Sequence, residues 1–269
     1  MPLRPLGDYL RALRAETPLV HCITNYVAMN STANLLLATG ASPAMLHAPE
    51  EVAEFTAISA GLSINIGTIS SHWADAMLTA TQTANQHAIP WVLDPVAVGA
   101  THYRQTLCAK LLAFKPSVIR GNASEILALN GLASQGRGAD STAATGQAVN
   151  AAIALAKNHG CVVAMTGESD WVTDGKQHYR ISGGHPLMPR VTTLGCGLSA
   201  LVAAFVAANR QAPLGAASAA LACFAIAGER AGRSAQGPGS FQVALLDALY
   251  QLTPDDLTTH AQREAIHAV

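Results

Sequence analysis

Short apolar runs and helical repeats alternate along this chain. Pro18 to Cys22, Ser42 to Leu46, Leu62 to Ile66, Trp91 to Leu93, Ser117 to Ile119 and Cys161 to Met165 are apolar runs bounded by Gly, Pro, Asn or Asp, which predicts buried strands. Between them, helical spacing predicts helices over Tyr26 to Thr39 (stopped by Gly40), from Pro49 onward, and over Ser71 to His87, His102 to Phe114 and Thr142 to Asn158. Such alternation predicts an α/β fold, a three-layer αβα sandwich around a mostly parallel sheet. Asp174-Gly175 predicts a tight hairpin near one sheet edge, and Gly131 to Gly138 a mobile surface loop.

Leu198 to Ala208 is apolar all round but about half the ~20 residues a membrane span needs, and Asn209-Arg210 ends it. It predicts a buried helix. Pro213 to Ala231 predicts a second, Ala-rich helix with Glu229, Arg230 and Arg233 near its end, packed on most faces, another subunit included. With 269 residues, 50% hydrophobic and 12% charged, the chain can bury a large core, which predicts one domain over residues 1–269. A net charge of −1 without a Lys/Arg run excludes the electrostatic footprint of nucleic-acid or anionic-membrane binding. Five cysteines without paired spacing argue against a disulfide framework, and Met1 to Thr17 lacks the apolar core of a signal peptide. Both point to a cytoplasmic protein.

The chemistry concentrates in Val191-Thr192-Thr193-Leu194-Gly195-Cys196-Gly197, where a Thr-rich turn becomes the apolar helix. Glycines allow close backbone approach, and a helix start offers unpaired N–H groups and a positive dipole end, so this is an anion cradle suited to phosphate. A helix start also acidifies a thiol, by roughly one unit from a value near 8.5, while a bound phosphate opposes it; Cys196 is expected to be mostly protonated. Cysteine is more often a small buried hydrophobe, the reading that suits Cys108, Cys161 and Cys223; the flanking glycines set Cys196 apart.

In open parallel sheets ligands bind beyond the carboxyl ends of the strands. The polar residues there are His21, Thr24 and Asn25, Met45, Asn65, Gly67 and Thr68, Asp94, Arg120-Gly121-Asn122 with Glu125, and Thr166-Gly167-Glu168. Asp94 and Glu125 beside a phosphate cradle invite Mg²⁺, which one or two carboxylates hold together with phosphate oxygens. Arg120, closing an apolar strand, calls for an anionic partner such as a nucleotide phosphate. The chain has no G-x-x-x-x-G-K-[ST] loop, no complete dinucleotide fingerprint and no zinc spacing among its His and Cys residues. A cysteine hydrolase is the rival chemistry, but Gly195-Cys196-Gly197 is not a nucleophile elbow, and His260 and His267 lie in a polar tail.

These segments resemble the hydroxyethylthiazole kinases, thiamine-salvage members of the ribokinase-like superfamily. The likeness is carried by Pro18–Asn25, Gly40–Met45, Leu93–Ala100, Ile119–Glu125, Thr166-Gly167, Gly195-Cys196 and Gly237–Phe241, and Asn122-Ala123-Ser124-Glu125 looks like the superfamily's N-x-x-E element. The resemblance implies a ribokinase-like fold, ATP- and Mg²⁺-dependent phosphorylation of 4-methyl-5-(2-hydroxyethyl)thiazole, and a homotrimer with active sites at subunit interfaces. It implies that Met45, Asn25 and Thr193 serve the thiazole alcohol, Arg120, Thr166, Asn122 and Gly195 serve ATP, Asp94 and Glu125 serve the metal, and Cys196 takes the place of the catalytic base. The family commonly has glycine where this chain has Thr193, followed by a small residue where it has Leu194, which bears on substrate preference. A kinase for a pyrimidine or sugar alcohol, a cysteine hydrolase and a non-catalytic nucleotide-binding protein remain alternatives at this point.

Overall fold

The computed structural model describes residues 4–131 and 141–266. In chain order the elements are α1 (Leu6–Glu16), β1 (Leu19–Ile23), α2 (Met29–Thr39), β2 (Ser42–Ala44), α3 (Val52–Ile58), β3 (Gly61–Asn65), α4 (Ser71–Gln86), β4 (Trp91–Asp94), α5 (His102–Leu112), β5 (Val118–Asn122), α6 (Ala123–Leu129), α7 (Ser141–His159) and β6 (Val162–Thr166). There follow β7 (Asp170–Thr173), β8 (His178–Ser182), α8 (Leu194–Ala207), α9 (Pro213–Ser234), α10 (Pro238–Gln251), α11 (Pro254–His260) and β9 (Gln262–Ala265). All nine strands form one sheet in the order β2-β1-β3-β4-β5-β6-β7-β8-β9. β1 to β6 are parallel and the last three strands antiparallel.

Two separate cores lie on the two faces, which makes the three layers. The strands feed them alternately, as a period of two requires. In β4, β5 and β6 the residues Val92, Val118, Val162 and Ala164 face α1, α2, α8, α9 and α10, while Leu93, Ile119, Val163 and Met165 face α4, α5 and α7. On β3 the α8 face carries only the small or polar Gly61, Ser63 and Asn65, and a Cβ on Gly61 would lie 2.9 Å from that of Ala207. This lets α8 settle directly on the sheet. α9 is the one helix among the described residues long and apolar enough to cross a membrane, yet 78% of its apolar window is buried in the fold.

The structure alters several sequence expectations. β2 stops at Ala44 rather than Leu46, because the buried His21 side chain captures the Leu46 carbonyl and draws it off the ladder. The helix expected from Pro49 starts at Val52. α8 begins at Leu194, before both glycines, so Gly195 and Cys196 are in its first turn. The Asp174-Gly175 hairpin forms, but β9 pairs beyond β8 and takes the edge. The polar tail contains α11, started by a Thr253–Asp256 capping box, and β9; His267 lies outside the described residues, as does the Gly131 to Gly138 loop past Gly131.

Gly197 sets how closely α8 approaches α2, since a Cβ there would sit 2.2 Å from Leu35 Cδ1 in the core. Gly197→Val should therefore cost about 3 kcal/mol through overpacking, lowering Tm by about 2–4 °C for each kcal/mol in a chain of this size. Gly239→Ala, where nothing lies within 4 Å, should change stability by less than about 1 kcal/mol. Calorimetry of the two variants checks the contrast; equal Tm values would show that the α2–α8 contact is not tightly packed.

Candidate active site

The sheet brings most of the predicted residues to the carboxyl ends of adjacent strands. Met45 follows β2, Asn25 follows β1, Asn65 ends β3, Asp94 ends β4, Arg120 and Asn122 end β5 and Thr166 ends β6. Met45, partly buried, packs against the core cluster on the α8 face of the sheet. Strand order puts Met45, Asn25 and Asn65 on one side of Asp94 and Arg120, Asn122 and Thr166 on the other. The tip of α8 spans this divide. Asn25 Nδ2 donates to Cys196 Sγ at 3.2 Å, Ser199 Oγ donates to Asp94 Oδ2 at 2.7 Å, and a Cβ on Gly195 would lie 2.9 Å from Arg120 Nη1. One helix tip thus touches groups from β1, β4 and β5.

Asp94 is 1% exposed. Burial pushes its carboxyl up to about 6, and Glu125 adds to the rise; the Arg120 charge and hydrogen bonds from Ser199 and Asn65 Nδ2 (2.7 Å) oppose it. Both donors converge on Oδ2. Glu125 is more fully engaged. Its Oε2 accepts the Asn122 N–H at 2.8 Å and its Oε1 the Ala97 N–H at 3.0 Å, while Asn122 Oδ1 accepts the Glu125 N–H at 3.0 Å. Asn122 is thus the cap of α6, and Glu125 ties that cap to the loop after β4. Arg104 braces the same region, donating to the carbonyls of Ile66, Val96 and Gly67 at 2.6, 2.9 and 2.6 Å.

Arg120 donates to Thr166 Oγ1 at 2.6 Å, but its buried Nε has no partner and no carboxylate lies within ion-pair distance among the described residues. It stands against a helix tip that is itself electropositive. The first intrahelical bond of α8 runs from Gly197 N–H to the Thr193 carbonyl, so the N–H groups of Leu194, Gly195 and Cys196 carry no helical acceptor. A guanidinium, an unpartnered Nε and three such N–H groups in one place form a receptor for an anion.

Cys196 departs from the sequence expectation in one respect. Burial and the Asp94 charge raise its thiol above the usual range, and these outweigh the hydrogen bonds from Asn25 and Asn65 and the Arg120 charge. The helix tip does not yield an acidic thiol, because the sulfur is largely withdrawn from solvent and sits near a carboxylate. Thr193 caps α8 in the left-handed region (φ +71°) and its Oγ1 lies 2.6 Å from Ser31 Oγ on α2.

Ser199 and Arg104 were not singled out from sequence. Ser199 had a signal, as the lone polar residue in an apolar helix one turn beyond Gly195 and Cys196 and hence on the same face. Arg104 had none, being one cation on a polar helix. A cavity of about 680 Å³ lies at the opposite end of the sheet, and none of the candidate residues lines it.

His21 fixes the segment that carries Met45. Its Nε2 donates to the Leu46 carbonyl at 3.0 Å, Nδ1 lies 2.9 Å from Thr56 Oγ1, and burial lowers its pKa to about 4 from 6.5. The unfolded chain then takes up a proton below pH 6.5 that the folded chain accepts only below about 4. Stability from this group is complete above pH 6.5 and lost between 6.5 and 4, at about 1.4 kcal/mol per unit. Asp94 and Asp170, both raised to about 6, work in the opposite direction as pH falls. The comparison with His21→Gln separates the terms: between pH 7 and 5 the wild type should lose about 2 kcal/mol more than the variant in urea unfolding. Parallel pH profiles would contradict it.

The sequence model of the hydroxyethylthiazole kinase family matches residues 10–255. The hydroxyethylthiazole kinase of Cereibacter sphaeroides is 56% identical over 259 residues, spanning 96% of this chain and 98% of that protein. The solved structure of a hydroxyethylthiazole kinase from Pyrococcus horikoshii superposes with a TM-score of 0.90 at 40% identity, covering 97% of this chain and 99% of that one. A pyridoxal kinase from Staphylococcus aureus, solved with AMP-PCP, has a TM-score of 0.64 at 15% identity over 93% of this chain and 99% of its own, a likeness of fold alone. With nearly its whole length matched by family model, relative and structure alike, this chain belongs to the hydroxyethylthiazole kinase family.

Proposed function

We propose that the chain transfers the γ-phosphoryl group of ATP to the hydroxyl of 4-methyl-5-(2-hydroxyethyl)thiazole, as one catalytic unit over residues 1–269 in the cytoplasm. The observation that carries this reading is the unpaired Arg120 on the tip of α8, an anion receptor one residue from a thiol that faces the other half of the cleft. Arg120, Thr166, Asn122 and Gly195 serve the nucleotide; Met45, Asn25 and Thr193 form the acceptor side, with Met45 acting through its backbone. In the transfer the alcohol oxygen bonds to the γ-phosphorus and gives up its proton to an oxygen of the transferred phosphoryl group, the bond to the β-phosphate oxygen breaks and ADP leaves.

The donor set fits Mg²⁺. Glu125 is close enough to raise the Asp94 carboxyl, the two hydrogen bonds to Asp94 leave Oδ1 for a cation, and this metal needs few protein ligands when phosphates share it. Glu125, with both oxygens on backbone N–H groups, suits contact through water. Bound there, Mg²⁺ would neutralise charge on the phosphate oxygens. Cys196, with its raised thiol, orients the acceptor hydroxyl; a loose phosphoryl-transfer transition state asks little of a base. A homotrimer with interface sites belongs to the same reading, supported by Tyr26 and Val27, 65% and 61% exposed directly after Asn25.

An ADP-release assay with thiazole, pyrimidine and sugar alcohols tests the proposal, and turnover confined to a sugar or pyrimidine alcohol would overturn it. Arg120→Ala should raise KM for ATP by about 10- to 100-fold, as expected for a lost hydrogen bond to a charged group, with a smaller change for the alcohol. The opposite ranking would place Arg120 on the acceptor side. Glu125→Gln should raise the Mg²⁺ needed for half-maximal rate by about tenfold, while Tm falls only by the few degrees that one backbone N–H losing its acceptor costs. An unaltered Mg²⁺ dependence in a folded variant removes Glu125 from the metal site.

A further inference from the structure

Between Asp94 and Cys196 runs a chain of side-chain hydrogen bonds whose direction is fixed by backbone groups that can only donate. The Ala28 N–H donates to Asn25 Oδ1 at 3.0 Å and the Gly67 N–H to Asn65 Oδ1 at 2.9 Å. Each amide therefore has its oxygen identified and its nitrogen directed the other way. Asn65 Nδ2 faces the Asp94 carboxylate, and Asn25 Nδ2 faces both Asn65 Oδ1 (2.9 Å) and Cys196 Sγ (3.2 Å). Turning Asn25 over would set its carbonyl against that of Asn65 and its NH₂ against the Ala28 N–H. Turning Asn65 would set its carbonyl against a carboxylate. Asn25 and Asn65 are 5% and 1% exposed, so water cannot substitute for a lost partner.

This arrangement accounts for the whole Asn25 amide: Oδ1 holds the start of α2, one N–H serves Asn65 and the other the sulfur. No hydrogen is left on it for a substrate. Gly67 belongs to the device, since a Cβ there would lie 2.7 Å from Asn25 Nδ2. We propose that Asn25, held in one orientation by Asn65, is a positioning residue that acts through Cys196, donating to the sulfur and so leaving the S–H as the polar bond the thiol offers to the acceptor hydroxyl. The proposal rests on the reading of Cys196 as part of the kinase site.

A double-mutant cycle between Asn25 and Cys196 tests it in the full-length enzyme. Asn25→Ala should lower kcat by about tenfold, the value of one hydrogen bond at a reacting group, with KM for ATP and alcohol within about twofold. In the Cys196→Ala background the same change should cost less than about twofold. Asn25→Leu keeps nearly the same volume and adds no charge but removes the donor; it should behave as Asn25→Ala and serves if that variant folds poorly. Equal losses in both backgrounds, or a raised KM for the alcohol at unchanged kcat, would overturn the proposal and make Asn25 a substrate ligand. The pH dependence of Cys196 alkylation by iodoacetamide in nucleotide-free enzyme reads the same bond without turnover, the other four cysteines being buried. Asp94 and Arg120 are the charged groups facing the thiol. Against that fixed background, losing the donor should move the half-point upward by about one unit, and an unmoved half-point would also overturn the proposal. Failure of the wild type in the alcohol panel, by contrast, would overturn the kinase reading and leave the alkylation result standing.

Discussion

A carboxylate that is 1% exposed has to be compensated by its neighbours, and Asp94 sets that demand for the whole site. Its desolvation is met from three directions: Asn65 from the adjacent strand, in register with it, Ser199 from the helix above and the Arg120 charge from the strand beyond. Each of these would be a costly polar group in its own surroundings. Ser199 lies in a helix otherwise made of aliphatic, aromatic and small residues, and Arg120 ends an apolar strand. They are tolerable together because they answer one another. The two core clusters on either side of the sheet hold β3, β4 and α8 in the register that makes the answer possible.

The same constraint divides the cleft. Because Asp94 sits near the middle of the parallel strands and α8 rests on it, what lies toward β1 and β2 meets the thiol through Asn25, and what lies toward β5 and β6 meets Arg120 and Thr166. Small residues make this close seating possible, with Gly61 below α8 and Gly197 beside it. Electrostatically the arrangement is lopsided. Arg120 stands at the positive end of a helix, where a cation is disfavoured, and without a carboxylate in ion-pair reach among the described residues. A multiply charged anion relieves both strains at once, whereas a neutral ligand relieves neither.

The parallel strands were legible in the sequence because both faces of the sheet are buried, which makes Trp91 to Leu93 or Cys161 to Met165 continuously apolar and leaves their polar terminators conspicuous. Those terminators include nearly every residue of the site. What sequence could not show were choices made by tertiary contacts. Gly195 and Gly197 argue locally for a turn, but contact with Leu35 and Arg120 gives α8 a use for residues without side chains, and the helix starts three residues before Gly197. β2 is shortened by one imidazole. The C-terminal segment is polar because β9 is an edge strand and α11 a surface helix, so composition concealed both. The thiol is the instructive case: the helix-tip argument had the right sign for one contribution and no access to the burial and the Asp94 field that exceed it.

Thr193 shows how the tip is held once it is in place. The residue before α8 has to adopt φ +71° for the first-turn N–H groups to face the cleft, a conformation that costs a non-glycine residue about 1–2 kcal/mol. A hydrogen bond between the Thr193 and Ser31 hydroxyls, 2.6 Å apart, returns about 0.5–1.5 kcal/mol, so the two terms nearly cancel. Glycine at this position would reach the same backbone geometry without the strain and also without the link to α2. The threonine therefore exchanges conformational ease for attachment: it ties the cap of α8 to α2, the helix that Asn25 starts through the Ala28 N–H. Both ends of the contact between Asn25 and Cys196 are then anchored to α2, and displacement of the helix tip would have to break the hydroxyl pair before it could separate the amide from the sulfur.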